Sequence, residues 1–598
     1  MKERLIFGYD PFVWPFTLGM VFIILYLLVG TVRIILALDN SERKLILKSF
    51  LPVRLYKTVK DIILDCLIHV KIFKRNPLLG YMHSSIALGW FMLILIGHIE
   101  VFIYIPQRTG ILYYPVFFRY FVMETHETLR GSFFFFLMDL SLLVVLSGIG
   151  LAIFKRFHSR FLGMRRTTKL KIGDKIALYS LWAIFPLRLL AESFTANISG
   201  GSFLTKSINH LLNNFVTNPD HILPVWWAYS SALGLFLFAL PFSRYMHIPT
   251  EILLIFLRNA GIRSSVSRSG YAESEIYSCS RCGICIDGCP MTVQKRNIKF
   301  SSVYFIRLLR RRSDESVVIA DKCLMCNKCV EVCPVGIDST RLKLLKRQEE
   351  NGSSKTNFDY LSAIEYEQHS SGNVLYYAGC MTHLSPVIYK SLFRILDKAK
   401  IDYSFLDSNG SICCGRPLMM SGNLDGARSL IKKNSELIKA SGCDTLLLSC
   451  PICYKIFNEE YKLDGVKVVH HSVYINDLVR SGKIELQKNL GSYVFHDPCE
   501  LGRGSNIYDQ PRELLSNIGV VKEASKERKE SICCGGSLGS LTLSYTDKEQ
   551  ITKASLKVLL ENDPDEVVTA CPLCLKSFST YNSKPTKDIA QVVSDQLI

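Results

Sequence analysis

The sequence predicts a multidomain protein with a five-helix transmembrane bundle, a helical cysteine-rich domain and two tandem α/β domains. Three observations predict this architecture. Most of the long uncharged runs lie before residue 250, all but one of the 20 cysteines lie after residue 278, and one cysteine pattern occurs twice in the last part of the chain. A chain of 598 residues is also too long for one domain.

Five apolar stretches are long enough to cross a bilayer, which takes about 20 residues of α-helix. They belong to a predicted domain of residues 1–262 and cover residues 11–32, 76–99, 131–154, 174–195 and 222–246. Asp139 interrupts the third stretch, and Arg188 interrupts the fourth, which is the weakest. The first stretch is too long for a cleavable signal peptide. We therefore expect a multi-pass membrane protein.

The charges of the predicted loops indicate how the bundle is oriented. Segments 33–75 and 155–175 carry ten and eight Lys or Arg residues, whereas segments 100–130 and 188–221 carry three and two. Loops rich in Lys and Arg stay in the cytoplasm. We therefore expect the chain to lie in the cell (inner) membrane, with its amino terminus outside and residue 250 onward in the cytoplasm. The net charge of +18 is largely this bias, so we expect no nucleic-acid partner.

Two copies of one cysteine motif follow, in a predicted α-helical domain of residues 270–345. Each copy has the spacing Cys-x2-Cys-x2-Cys-x3-Cys-Pro, the bacterial dicluster ferredoxin run that binds two [4Fe–4S] cubes. In this arrangement, three thiolates of one copy and the last cysteine of the other hold each cube. The predicted ligand sets are Cys279, Cys282, Cys285 and Cys333, and Cys323, Cys326, Cys329 and Cys289.

Zinc sites and disulfide bonds are the alternative explanations of these cysteines. A zinc site needs only four ligands, usually in two separated pairs, whereas this region contains two complete four-cysteine runs. A high disulfide content is typical of small secreted domains, while Cys-x2-Cys pairs in a long chain indicate metal binding. The cysteine-rich half is therefore expected to lie in a reducing cytoplasm.

The carboxy-terminal part is an internal repeat, with predicted domains of residues 372–490 and 491–598. Five cysteines recur at nearly the same spacing, including an adjacent pair before glycine and a Cys-Pro-x-Cys motif. Cys66 and Cys443 lie outside every motif and are expected to be inert. The two recurring sets are Cys380, Cys413, Cys414, Cys450 and Cys453, and Cys499, Cys533, Cys534, Cys571 and Cys574.

Alternating β-rich and amphipathic segments predict an α/β fold for each copy. The predicted strands end in turns that lead to a cysteine motif, so their carboxyl ends would gather five thiols at one edge of a small sheet. The predicted strands are residues 374–377, 445–448, 494–495 and 567–569, and the predicted helices include residues 429–439 and 548–561.

Three further segments are predicted around the cysteine runs. Residues 264–274 are expected to be a short polar connection, because they are rich in serine. Residues 297–312 are expected to form one helix between the two runs. Residues 343–356 are charged and contain glycine and serine, and are expected to lead into the next domain.

Histidines near the ends of the apolar stretches are candidate haem ligands, because ionisable residues in a membrane span are costly and usually functional. His83 and His247 fall at the cytoplasmic ends of two different helices, and this matching depth suits two axial ligands of one haem b. His98 lies about 22 Å deeper than His83 and would hold a second haem, with His126 or His221 as its partner. A histidine in the lipid headgroup region is the alternative for each.

The segment Leu240-Pro-Phe-Ser-Arg-Tyr-Met-His247 resembles the end of the fifth helix in the nitrate reductase gamma subunit family and its heterodisulfide reductase relatives. The resemblance covers residues 1 to about 250. It implies that His247 binds the inner haem and that a quinone is oxidised or reduced in the membrane. That family has a second histidine about five turns earlier in the helix, where this chain has Tyr229. We therefore expect one haem, with two as the alternative.

The five-cysteine spacing resembles the CCG domain of heterodisulfide reductases, in which the five cysteines bind a non-cubane [4Fe–4S] cluster. The resemblance implies one or two such clusters here, because some relatives keep zinc or no metal in one copy. His383 follows Cys380, and His496 comes three residues before Cys499. Both histidines are candidate catalytic proton donors to a substrate thiolate, and a structural role is equally open.

The order of the domains resembles, over nearly the whole chain, a fusion of the membrane and catalytic subunits of membrane-bound heterodisulfide reductase. The same order occurs in membrane iron–sulfur oxidoreductases that pass electrons from electron-transfer flavoprotein to menaquinone. We therefore expect an oxidoreductase that links CCG-bound clusters, two cubes and haem b to menaquinone or another quinone. The cytoplasmic partner is either electron-transfer flavoprotein, which is slightly favoured, or a small disulfide or dithiol. A redox sensor is the least expected function.

Overall fold

The structure of the protein is a computed structural model that describes residues 10–104, 113–122, 129–158, 168–196, 198–212, 222–264, 269–294, 297–351 and 372–598. The chain divides into two compact units, Met1–Ile284 and Cys285–Ile598. The first unit contains the apolar helices and the start of the first cysteine run. The second unit contains the rest of both cysteine runs and the two α/β domains.

Five helices in the described part of the first unit are long and apolar enough to cross a membrane. They are Pro11–Leu36, Pro77–Tyr104, Gly131–Phe157, Ile172–Thr195 and Ile222–Phe242. The number agrees with the five predicted stretches and is consistent with a multi-pass membrane protein. Many apolar side chains on the first helix remain exposed, including Leu25, Leu28 and Val29, as a lipid-facing surface requires.

The fifth apolar helix ends earlier than predicted. Its α-helical part is Ile222–Ala239, and two 3-10 turns, Leu240–Phe242 and Arg244–Met246, follow it. Pro241 lacks a backbone N–H and so cannot continue the α-helical hydrogen bonding. His247 therefore begins a separate helix, His247–Asn259, instead of closing the span.

Shorter helices complete the first unit. Residues 264–274 are predicted as a polar connection, and this prediction is wrong from residue 270 onward, where the helix Gly270–Ser278 begins. Ser269 caps this helix, because its hydroxyl accepts a hydrogen bond from the N–H of Ala272. The other short helices are Asn40–Ser49, Pro52–Ile62, Val70–Arg75, Phe118–Phe121 and Phe203–Leu211, with a π-helical turn at Ile63–Leu67.

The second unit begins with the helical cysteine-rich segment, in which two predictions are wrong in detail. Residues 297–312 form two pieces, because Ser301 is extended between the 3-10 turn Ile298–Phe300 and the helix Ser302–Arg310. Residues 343–351 are helical instead of a connection. The helices of this segment are Ile284–Gly288 at the junction of the units, Pro290–Gln294, Ser302–Arg310, Glu315–Asp321, Lys328–Glu331 and Ser339–Asn351.

Each α/β domain contains a four-stranded parallel sheet. The first sheet has β1 (Val374–Tyr377), β2 (Tyr403–Phe405), β3 (Thr445–Leu448) and β4 (Lys467–His470) in the order β2-β1-β3-β4. The second has β5 (Ser492–Phe495), β6 (Val520–Val521), β7 (Glu566–Thr569) and β8 (Thr586–Asp588) in the order β6-β5-β7-β8. The strand order is the same, so the cysteine repeat is also a repeat of the fold, as predicted.

Helices connect the strands and cover the sheets. The longest are Leu424–Ala440 and Tyr545–Leu559, which include most of the two predicted helical segments. Side chains from both sheets, such as Tyr376 and Phe495, belong to one buried core shared by the two domains. The other helices of more than five residues are Val387–Lys398, Arg416–Ser421, Pro451–Glu459, His471–Arg480, Asp509–Ser516, Pro572–Ser579 and Ile589–Ser594.

The strand order explains where the cysteine motifs lie. In a parallel sheet, a crevice opens at the carboxyl ends of two strands whose connections leave in opposite directions. In the first sheet these strands are β1 and β3, and in the second they are β5 and β7. A cysteine motif follows each of these four strands. The fold therefore brings the motifs of each domain to one edge of its sheet.

Candidate iron–sulfur and haem sites

Four thiols of the second unit line one cavity. They are Cys289, Cys323, Cys326 and Cys329, which form one of the two predicted cube ligand sets. Cys289 comes from the first cysteine run and the other three come from the second run. The cavity wall also includes Phe300 and Ile319. Soft thiolate donors in an apolar cavity fit the chemistry of an iron–sulfur cluster.

Polar groups point at these thiols. The ammonium of Lys343 lies 3.4 Å from Cys323 Sγ, and the hydroxyl of Ser339 lies 3.0 Å from Cys329 Sγ. The backbone N–H of Met325 also donates to Cys323 Sγ, at 3.4 Å. Hydrogen bonds and positive charge near cluster sulfurs set the reduction potential, so Lys343 is positioned to raise that of a cube held here.

The other predicted cube set divides between the two units. Cys279 and Cys282 belong to the first unit, while Cys285 and Cys333 belong to the second. Arg281, between the first two cysteines, has left-handed backbone with φ of 56°. Among the described residues, no group of three or more His, Cys, Asp or Glu side chains has the spacing that a single metal ion needs.

The five thiols of the first α/β domain gather as the strand order requires. Hydrogen-bonding contacts join the thiols of Cys413, Cys414, Cys453 and Cys450 in that sequence. Cys380 interacts electrostatically with Cys414 and Cys450, and it is exposed to solvent. The preceding Gly379 has φ of 78°, and a Cβ there would lie 2.8 Å from Cys453 Sγ. Glycine therefore lets the loop carrying Cys380 approach the other thiols.

The second α/β domain repeats this arrangement more tightly. Contacts join all five of its thiols in one series, and Cys574 Sγ lies 3.2 Å from Cys534 Sγ. The members in order are Cys499, Cys533, Cys534, Cys574 and Cys571. Both domains therefore present the same five donors, and the donor chemistry fits the sulfur-ligated cluster that the spacing predicts.

A contact between two thiols is among those that join the cysteine-rich segment to the second α/β domain. The thiol of Cys326 touches that of Cys533, and this contact lowers the pKa of Cys326. Both cysteines lie in a buried apolar cluster with Leu324 and Ile551. Arg503 stabilises the junction, because its guanidinium donates to the carbonyl oxygens of Cys326 and Ser531, each at 2.8 Å. The sequence gives no local signal for this contact.

The two histidines proposed as proton donors have structural partners. His383 Nε2 lies 3.2 Å from Asp407 Oδ2, and this hydrogen bond raises the pKa of His383. Asp407 also accepts from the N–H groups of Ala378 and Gly379, both at 2.8 Å, and so holds the loop that carries Cys380. His496 is buried beside Cys534, and its Nε2 lies 3.1 Å from the carbonyl oxygen of Ile532. Burial lowers the pKa of His496.

Among the described residues, two other histidines lie near His83, and the sequence predicts only one of them. His83 interacts electrostatically with His247, as the predicted pair requires, and also with His69. The ring centroids of His69 and His83 are 5.5 Å apart. The Nδ1 atoms of His247 and His69 lie 2.7 and 3.2 Å from backbone carbonyl oxygens, and these contacts orient both imidazole rings. These donors fit a haem. Sequence reasoning missed His69, which follows a π-helical turn and has φ of 55°.

Of the candidate ligands for a second haem, His98 lies in the part of the chain that the structure describes. His98 is on the exposed side of its helix, and its Nδ1 lies 2.8 Å from the carbonyl oxygen of Ile94. His126 and His221 lie outside the described residues. The separation of 15 residues between His83 and His98 is not a whole number of α-helical turns, so the two side chains leave the helix in different directions.

A buried ionic network surrounds Tyr229, where the related family has its second histidine. Arg188 pairs with Glu192 at 2.8 Å and hydrogen bonds to Tyr229, and Arg119 pairs with Glu100 at 3.0 Å. These side chains are at most about 5% exposed. Ionisable groups at such depth are expensive in a membrane and must be paired. The residues around Tyr229 therefore do not fit a haem.

Comparison with known proteins identifies the cysteine-rich parts. Residues 374–458 and 493–579 match the CCG cysteine-rich domain, and residues 275–337 match the 4Fe-4S dicluster domain. The chain is 27% identical over 374 residues to a subunit of the dihydromethanophenazine:CoB–CoM heterodisulfide reductase of Methanosarcina acetivorans, covering 53% of this chain and 91% of that protein. These matches confirm the predicted dicluster and CCG domains.

Two further relatives are oxidoreductases by name. The chain is 24% identical over 485 residues to EtfAB:quinone oxidoreductase of Syntrophomonas wolfei, covering 62% of this chain and 67% of that protein. It is 24% identical over 335 residues to a subunit of the fumarate reductase (CoM/CoB) of Methanothermobacter marburgensis, covering 50% and 67%. The resemblance to heterodisulfide reductases and to flavoprotein:quinone oxidoreductases is therefore confirmed.

Proposed function

We propose that this chain, an iron–sulfur oxidoreductase related to a heterodisulfide reductase and to EtfAB:quinone oxidoreductase, is a membrane-bound electron-transfer enzyme. It passes electrons between a cytoplasmic redox partner at the CCG domains and the quinone pool of the membrane. Electron-transfer flavoprotein is the favoured partner, and menaquinone or another quinone is the membrane carrier. Two cubes, one or two non-cubane clusters and haem b, when bound, supply the one-electron steps.

The observation that carries this proposal is the contact between Cys326 and Cys533. Cys326 belongs to a predicted cube ligand set, and Cys533 belongs to the ligand set of the second CCG domain. The apolar cluster around both thiols excludes water. Groups held by these two sets would therefore be neighbours in a dry environment, which supports electron transfer between them.

The two CCG domains differ in what their thiols face. Cys380 of the first domain is exposed, and the nearby Leu384 is 65% exposed. The equivalent Cys499 of the second domain packs against the cluster that contains Cys326. Cys450 and Cys571 are within electrostatic range of each other, so the two five-thiol sets are adjacent. The first domain is accordingly the entry point for the partner, and the second is the link to the cube.

The first cysteine run is close to the histidines within the first unit. Cys282 interacts electrostatically with Lys155 and Arg244. Lys155 in turn interacts with His83, and the carbonyl oxygen of Arg244 lies 2.7 Å from His247 Nδ1. A haem held by His83 and His247 would therefore lie near the loop that supplies two ligands of a cube. We propose that this is the passage into the membrane.

A heterodisulfide reductase-like enzyme is the second candidate. The supporting observation is that Cys450 and Cys571, one from each CCG domain, are within electrostatic range of each other. Cleavage of a small disulfide takes two electrons, and two clusters that lie side by side could each supply one. We place this candidate second because the membrane helices and the CCG domains occur in one chain. This fused order favours an electron carrier to which a protein partner docks. A redox sensor is a third and less favoured function, since it would not need this many redox groups.

The deciding experiment uses the purified protein in liposomes with menaquinone. Reduced electron-transfer flavoprotein and a small dithiol are offered separately, and quinone reduction is followed optically. Reduction with the flavoprotein alone supports the favoured function, and reduction with the dithiol alone supports the second candidate. Reduction with neither contradicts both. Cys443→Ala is the matched control, because Cys443 is buried but belongs to no cysteine motif, and it should behave as the unmodified protein.

A further inference from the structure

Three basic side chains of the first unit gather beside the candidate haem ligands, and we call Lys155, Arg244 and Arg281 the basic cluster. Lys155 lies in the last turn of the helix Leu129–Phe157, and Arg244 lies three residues before His247. Arg281 lies between Cys279 and Cys282. Lys155 and Arg244 interact with each other electrostatically, as do Arg244 and Arg281.

Asp174 holds the cluster in place. Its carboxylate is fully buried and lies 2.6 Å from Arg281 Nη2. The same oxygen accepts a hydrogen bond of 2.7 Å from the backbone N–H of Arg244, and the other oxygen accepts from the N–H of Lys171 at 3.0 Å. Thr168 adds a link, because its hydroxyl donates to the carbonyl oxygen of Arg281 at 2.5 Å. The site is therefore built from several separate segments.

The charges of the basic cluster are not balanced by this carboxylate. Asp174 contributes one negative charge against three positive charges, and Cys282 is a second acidic group that faces Lys155 and Arg244, so positive charge remains in surplus. The Nε atoms of Arg244 and Arg281 are buried and donate no hydrogen bond to the described residues. Buried guanidinium groups are stable when anions pair with them, and planar carboxylates suit their geometry best. The cluster is therefore suited to an anion that carries carboxylates.

We propose that the basic cluster binds the two propionate carboxylates of the haem. The proposal rests on the proposed function, which includes a haem at His83 and His247. Two observations point to the haem: Lys155 is within electrostatic range of His83, and the carbonyl oxygen of Arg244 lies 2.7 Å from His247 Nδ1. The propionates would supply carboxylates to a cluster in which positive charge is in surplus. The third member, Arg281, belongs to the loop of Cys279 and Cys282, so the propionate site also joins the haem to this cysteine run.

This site has a consequence for the haem potential. A positive charge near a haem stabilises the reduced form, which carries one more electron, relative to the oxidised form. Replacing a basic residue of the cluster by a neutral one should therefore lower the haem midpoint potential. A neutral replacement also leaves a propionate without its partner and should weaken haem retention.

The test uses the full-length protein purified with its haem, and the variants Lys155→Gln and Arg244→Gln. Haem content is measured by the pyridine haemochromogen assay, and the haem midpoint potential by spectroelectrochemical titration. Both variants should have a lower potential, and Arg244→Lys, which keeps the charge, should recover most of the shift. Lys175→Gln is the matched control, because Lys175 is exposed and only one residue from Asp174. It should leave both quantities unchanged.

Three results would overturn the inference. Haem content and potential could stay the same in both variants, or the potential could shift equally in the Lys175→Gln control. The potential of a cube, read by electron paramagnetic resonance (EPR), could shift while that of the haem does not, which would assign the cations to the cube. Unmodified protein without haem would instead contradict the proposed function, so the two failures are distinguishable.

Discussion

Arg281 Nη2 lies 2.6 Å from the carboxylate of Asp174, which joins the loop between Cys279 and Cys282 to the start of an apolar helix. The Asp174 side chain is fully buried and that of Arg281 is 11% exposed. This ion pair connects the cysteine-rich and apolar parts of the first unit. It also places a cysteine loop at the end of the helices where the candidate haem ligands lie.

Replacing Asp174 by Asn should destabilise the first unit. The substitution leaves two guanidinium groups near each other without their shared carboxylate, and removing one partner of a buried ion pair typically costs about 3–5 kcal/mol. Thermal unfolding in detergent should show a lower apparent Tm. Asp425→Asn is the control, because Asp425 and Arg428 form an exposed pair of little energetic value. Equal Tm values for the two variants would contradict the structural role of Asp174.

Replacing Cys326 by Ser should remove one cube without removing the other. Cys326 lines the cavity with Cys289, Cys323 and Cys329, and a hydroxyl is a much poorer ligand for iron than a thiolate. EPR spectra of the reduced variant should lack one [4Fe–4S] signal, and quinone reduction should fall to background. Cys443→Ala should keep all signals. A Cys326→Ser protein with a full set of cluster signals and full activity would refute this ligand assignment.

The protein should bind one haem b per chain. Tyr229 and its ionic neighbours occupy the region of a second site, and His98 is on the exposed side of its helix. His83→Ala should abolish haem binding, whereas His98→Ala should retain the full amount in the pyridine haemochromogen assay. Two haems in the unmodified protein, or loss of half of the haem in His98→Ala, would show that the outer region was misinterpreted.

The stability of the first CCG domain should depend on pH through His383. The hydrogen bond with Asp407 raises the folded-state pKa of His383 above its unfolded value of about 6.5. The contribution is therefore fully present below about pH 6.5, and it is lost as the pH rises through the folded-state pKa. Protection factors for hydrogen exchange of residues 374–383, which are corrected for the intrinsic effect of pH on exchange, should fall over that range. His383→Asn should remove the pH dependence, and an unchanged profile in this variant would contradict the role of the ion pair.

Local sequence patterns predict much of this fold. The five apolar stretches match five helices, because length and hydropathy alone identify a candidate span. The strands Val374–Tyr377 and Thr445–Leu448 have the predicted boundaries, because each is a short apolar run that ends before a cysteine motif. The cysteine spacing predicts the ligand sets, and the cavity brings one of these sets together.

Features that depend on tertiary contacts could not be predicted in this way. Cys326 and Cys533 touch although they are far apart in the chain. The helix that follows His69 packs closely on the helix of His83, because Gly80 leaves space for Phe73, whose Cα lies 2.6 Å from where a Cβ of residue 80 would be. Residues 343–351 have the composition of a surface connection, yet Arg347 is fully buried and donates to the carbonyl oxygens of Ala320 and Met420. A charged segment gives no indication in the sequence that one of its arginines will be buried.

The central claim is that electrons entering at the CCG domains reach the haem through the cubes. The most direct test is stopped-flow absorbance of the haem α-band after reduced electron-transfer flavoprotein is mixed with the purified protein. The account predicts rapid haem reduction in the unmodified protein and none in Cys326→Ser, with dithionite still reducing the haem of that variant. Haem reduction at the same rate in both proteins would contradict it.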